Sequence, residues 1–82
     1  MLYNLYSIYD KDAGEYGPLF NAKNDIVASR LVEELIKDVK HADSYALYCM
    51  GQYDTEEGIV SSSVEFISDC SDLVDENDEV DK

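Results

Sequence analysis

The chain has 82 residues, with 19 acidic and 6 basic side chains, a formal net charge of −13 and an apolar share of 45%. That length fits one small domain with a thin core, because a domain of this size buries only about 60% of its unfolded surface. The composition excludes a disordered polymer and argues against the usual basic nucleic-acid binder, and no apolar run approaches the ~18 residues of a membrane helix, so no membrane partner is expected.

Residues 2–9, Leu-Tyr-Asn-Leu-Tyr-Ser-Ile-Tyr, are rich in aromatic and aliphatic side chains and predict a strand that stops at the turn signal Asp10-Lys11-Asp12-Ala13-Gly14. Those five residues also have a faint likeness to a calcium loop. The glycine falls at the fifth loop position rather than the sixth, and Asn21 occupies the twelfth, so the reading is a turn. Glu15 to Ala22 contains Pro18, which has no amide donor, so at best a short edge strand is expected there.

Asn24 and Asp25 are good N-cap residues, and Ala28, Leu31, Val32, Leu35, Ile36 and Val39 recur at helical spacing. They predict an amphipathic helix over about 25–40, with Leu31 and Leu35 buried mid-stripe and a Glu33–Lys37 pair on the solvent side. His41, the lone histidine, is read as a complement to the helix C-terminus. Residues 44–53 and 59–67 read as two strands joined by a hairpin turn at Asp54-Thr55-Glu56-Glu57-Gly58. The expected fold is therefore α+β: a small antiparallel β-β-α-β-β sheet with one helix packed on one face. Because aromatic residues occupy both faces of the strands, the face without a helix should be an exposed apolar surface.

The charge is uneven. Residues 1–68 hold 12 acidic and 5 basic side chains, whereas residues 69–82 hold 7 acidic side chains and Lys82. The expected division is a single domain over 1–68 and a disordered acidic tail over 69–82. The tail serves either solubility or competition for basic surfaces. Met1-Leu2-Tyr3-Asn4 lacks the basic and apolar regions of a secretion signal. Cys49 and Cys70 are the only thiols and fit a reducing compartment. With Cys49 expected opposite Ser63, Cys70 lies about seven ladder positions further along, roughly 23 Å away and beyond disulfide reach. One histidine and two distant cysteines do not make a zinc site, so neither metal nor cofactor is expected.

No spacing supports a nucleophile–base arrangement, and no enzymatic activity is expected. Seven Tyr are the informative set. Tyrosine suits strands and buries well, but rings on a sheet also stack single-stranded bases. The candidate nucleic-acid or partner-binding residues are Tyr6, Tyr48, Arg30, Lys37 and Lys40.

Four blocks carry a family resemblance. Tyr3-Asn4-Leu5-Tyr6-Ser7-Ile8-Tyr9-Asp10, then Gly17-Pro18-Leu19-Phe20, then Ala28-Ser29-Arg30-Leu31, and finally residues 45–59 with Gly51-Gln52-Tyr53-Asp54 at their centre, follow in a fixed order. Together they resemble the small non-structural protein of gokushoviruses, microviruses with circular single-stranded DNA genomes. Two features depart from that pattern: Gln52 stands where an acidic residue is usual, and the acidic tail has no counterpart. The resemblance implies a phage protein of the host cytoplasm, labelled DNA-binding, that assists single-stranded DNA synthesis or packaging. It brings no active-site residues. Two functions stand side by side. The chain contacts single-stranded DNA or replication and packaging proteins through its aromatic face, or it is an acidic DNA mimic or interaction module that occupies a basic site on a host or phage protein. A homodimer is expected in either case, to cover the second sheet face.

Overall fold

The computed structural model describes residues 1–73. Its first strand, β1 (Leu2–Asp10), ends in a hairpin to β2 (Glu15–Tyr16), followed by β3 (Phe20–Ala22), α1 (Asp25–Ile36), β4 (Tyr45–Asp54) and β5 (Ile59–Asp69). Short 3-10 turns at Ala42–Ser44 and Cys70–Asp72 follow α1 and β5. The result is an α+β fold with one antiparallel sheet in the order β2-β1-β4-β5. β4 pairs with β1 from Leu2↔Asp54 to Asp10↔Tyr45, so β2 and β3 lie end to end along the other edge of β1. The expected edge strand over 15–22 is thus two pieces. Pro18 interrupts it, while Gly17 N still donates to Ile8 O at 2.9 Å.

The two hairpins share one turn. Asp10 Oδ1 accepts from Asp12 N and Ala13 N at 3.0 and 3.1 Å, and Asp54 Oδ1 accepts from Glu56 N and Glu57 N at 2.9 and 3.4 Å. Each turn closes with the amide of a glycine at φ +72, Gly14 N on Asp10 O and Gly58 N on Asp54 O. An Asp that organises the turn and a glycine in the left-handed region make this a short-range hairpin signal. It also engages the Asp10 carboxylate in the turn.

The helix begins as expected, with Asn24 Oδ1 accepting from Val27 N at 2.9 Å. It ends at Ile36, four residues before the expected limit. Asp38 and β-branched Val39 propagate a helix poorly, and the chain must turn back through Ala42–Ser44 to enter β4. His41 therefore lies outside the last turn, which contains no basic residue. Lys37 pairs with Glu34 at 3.4 Å rather than with Glu33.

The buried row of the helix is Ala28, Val32 and Ile36, packed with Tyr6, Ala22, Ala42, Leu47 and Cys70. Leu31 and Leu35, expected to be buried, are 46% and 65% exposed. The apolar stripe is wider than the strip of sheet beneath it: the row Ala28, Val32 and Ile36 is buried, and of the neighbouring row Val27 alone packs against the core. The helix seats on residues that β1 points to one side: Tyr6 is buried there and Ile8 packs beside it.

Two further corrections concern the chain after Ser62. Cys49 lies opposite Glu65, not Ser63: the register Gly51↔Ser62 carried on would reach Val64, and one extra residue in β5 moves the partner on to Glu65. At that bulge Gly51 has φ +136, and a Cβ there would stand 2.0 Å from Ser61 O, so only glycine fits. The domain also does not stop at residue 68. Asp69 completes β5 and is bonded to Lys11 Nζ at 2.9 Å, Cys70 is fully buried, and Leu73 packs on the core. The rest of the expected tail, 74–82, lies outside the described residues.

Candidate functional site

The five candidate residues do not form one surface. Tyr6 is 0% exposed, beneath α1, with its ring stacked on Phe20 at 5.8 Å. Its pairing opposite Cys49, with Ser7 opposite Tyr48, puts Tyr6 and Tyr48 on opposite faces of the sheet. Tyr6 therefore offers no ring for stacking. Arg30, Lys37 and Lys40 are exposed on and just beyond α1, on the side of the sheet away from Tyr48.

Tyr48 instead belongs to an aromatic cluster on the face without a helix. Tyr16 lies opposite Tyr9, and Phe66 lies opposite Tyr48. The ring centroids are 4.6 Å apart for Tyr9–Tyr16, 5.9 Å for Tyr9–Tyr48, 5.4 Å for Tyr16–Tyr48 and 5.7 Å for Tyr48–Phe66. These tilted and edge-on contacts suit aromatic quadrupoles and fix the rings relative to one another. Tyr3 and Tyr53 pair further along the same face. Three cluster members, Tyr9, Tyr16 and Phe66, are missing from the sequence-based candidates. The signal for Tyr9 and Tyr16 is the hairpin turn, since a loop of residues 11–14 sets them opposite one another, whereas Phe66 reaches Tyr48 only through the bulged β4–β5 register.

No strand residue of this open face is basic. Among the described strand residues, Asp69 is the one charged side chain that the register places there. It sits at the end of β5, bonded to Lys11 Nζ, which also donates to Asp43 O at 2.9 Å. The bond to Asp69 raises the Lys11 pKa and holds that lysine as a cation already engaged within the chain.

The helix side carries a different chemistry. A groove of about 340 Å³ is lined by Asn4, Asp25, Cys49, Gly51, Gln52, Ser61–Ser63 and Glu65. A chain of bonds runs along it. Gln52 Nε2 donates to Asn4 Oδ1 at 3.3 Å, Asn4 Nδ2 donates to Tyr6 OH at 3.0 Å, and Tyr6 OH donates to Asp25 Oδ1 at 2.6 Å. Burial, together with the bond to Asp25, pushes the Tyr6 phenol up to about 12, so it stays a neutral donor. Two carboxylates, amide and hydroxyl groups make this groove an acceptor-rich surface, suited to a cation or a donor-rich group.

The two thiols sit in different surroundings: Cys70 is buried and Cys49 is half-buried at the groove. Burial and the nearby Asp69 push Cys70 up to about 11, and Cys49 Sγ lies 3.7 Å from Gly51 O. Among the described residues no group of three or more His, Cys, Asp or Glu side chains could hold a metal ion, and no helix is long and apolar enough to cross a membrane.

No curated protein and no solved structure matches the chain. Residues 3–73, which span the helix and every strand but for the first residue of β1, match the family model described as Phage ORF5 protein. The chain belongs to the Phage ORF5 protein family.

Proposed function

We propose that this phage protein is a non-enzymatic interaction module that assists single-stranded DNA synthesis or packaging in the host cytoplasm by occupying a basic surface on a phage or host protein. The observation that carries the reading is the separation of rings from cations. Among the described residues, Tyr9, Tyr16, Tyr48 and Phe66 form a platform whose strand positions carry no basic residue, and Lys11, at its end, is tied to Asp69. Binding of single strands combines stacking with neutralisation of phosphates by Lys or Arg, and the second half of that pair is absent from the platform. Arg30, Lys37 and Lys40 lie across the sheet from it, and Lys37 is already paired with Glu34. A net charge of −13 further repels a polyanion and attracts a polycation. The acceptor-rich groove beside Asp25 and Glu65 gives such a polycation a place to set a lysine or arginine side chain.

The test is a pair of anisotropy titrations of the full chain, one with an oligothymidine strand and one with an arginine-rich peptide, each at about 50 and 200 mM salt. The reading predicts saturable binding of the peptide that weakens with salt, and none of the DNA. Saturable DNA binding, with log affinity falling by about 0.7 per phosphate contact in log salt, would overturn it in favour of direct DNA binding.

A further inference from the structure

Among the described residues, the open face of the sheet is a broad surface on which two copies can meet without opposing like charges. Nineteen acidic side chains are spread over 82 residues, yet the strand positions facing this side carry a single carboxylate, Asp69, at one end and tied to Lys11. The bulged positions of β4 and β5, Met50, Ser63, Val64 and Ile67, add no charge. Phe66 is 53% exposed, Val60 58% and Tyr16 42%, so the face is apolar as well as neutral. An exposed apolar patch of this kind marks an interface more often than bare surface.

The chemistry narrows the occupant. Single-stranded DNA needs cations that this face lacks. A basic partner is drawn to the acidic groove on the helix side and gains nothing from a neutral one. A second copy of the chain brings an identical neutral face and leaves both sets of carboxylates at the rim and on the outer helices. The whole molecule extends 50 by 26 Å in its two longer directions, a scale on which an interface of about 800 Å² per partner can be formed. Two sheets of this kind pack about 10 Å apart, with rings interleaved, in a two-layer sandwich.

We infer that the protein is a symmetric homodimer built by packing the open faces of two sheets, with Tyr16, Tyr48 and Phe66 at its centre and the two helices outside. The arrangement has a consequence for salt. The two chains repel each other through their net charge, so added salt strengthens the dimer. Binding to a basic partner responds to salt in the opposite sense, and the dimer stands or falls independently of that reading.

Sedimentation equilibrium of the full chain at tens of micromolar, in about 50 and 500 mM sodium chloride, tests this. The expected result is twice the chain mass, with tighter association at the higher salt. Phe66→Glu, at an exposed strand position, should weaken association at least tenfold, while Leu35→Glu, exposed on the helix, should leave it unchanged. Far-UV circular dichroism establishes that each variant is folded. Acrylamide quenching of tyrosine fluorescence in the unaltered chain, falling as concentration rises, provides a readout that needs no variant. A monomer at both salts, or a dimer broken by Leu35→Glu and not by Phe66→Glu, would overturn the inference.

Discussion

Tyr6 shows how far one side chain can be misplaced by composition and corrected by register. Its ring is buried beneath α1 and its hydroxyl joins Asn4 to Asp25. Alternation along β1 is plain in the sequence and separates Tyr6 from Ser7 and Tyr9. What alternation does not state is which side the helix covers, because both sides carry large apolar residues. The buried phenol makes a prediction. Its pKa is raised from 10 to about 12 in the folded protein, so the protonated form is favoured by folding. That contribution is complete below pH 10 and is lost as pH climbs through about 12, and Cys70, raised from 9 to about 11, adds to the loss from pH 9 upward. Tyr6→Phe forfeits a hydrogen bond to a carboxylate, about 1.5 kcal/mol in urea melts at pH 8. The gap between variant and parent should shrink by pH 11, since the parent is then losing the same term. An equal gap at both values would show that the hydroxyl is not held as described.

Among the elements, the helix start and the hairpins were the most legible. Asn24 caps the helix in the way its side chain suggests, and the two Asp-x-x-x-Gly turns close both hairpins at the expected residues. The buried row of the helix was not legible. Ala28, Leu31, Val32, Leu35, Ile36 and Val39 form a stripe more than one row wide, and periodicity alone cannot say which row faces a narrow sheet. The bulge at Gly51 was not read either, although a glycine inside a strand is its usual mark. It shifts the partner of Cys49 from Val64 to Glu65, where Ser63 was expected, and brings Glu65 to the groove. The buried row is testable. Val32→Ala should cost about 2–3 kcal/mol, because it removes methyl groups from a fully buried site. Leu35→Ala, at 65% exposure, should cost under about 0.5 kcal/mol. Equal losses in urea melts would mean that the helix seats on a different row.

At the scale of the whole molecule, the sheet divides two chemistries. One side is aromatic and almost free of charge, while the other carries α1, its exposed ions and the acceptor-rich groove. The candidate set drawn from the sequence mixed the two sides, because nothing in a linear chain says that Tyr48 and Arg30 lie across a sheet from one another. The end of the domain was also hidden by charge. Asp69-Cys70-Ser71-Asp72 reads as the start of an acidic tail, yet Cys70 fills the core and Asp69 anchors Lys11. The claim that function is divided between these two sides is tested most directly by amide chemical shifts of the ¹⁵N-labelled full chain during titration with an arginine-rich peptide. The account predicts shifts concentrated at Asn4, Asp25, Gln52 and Glu65, with Tyr9, Tyr16, Tyr48 and Phe66 unmoved. Shifts centred on those four aromatic residues, with the groove silent, would contradict it.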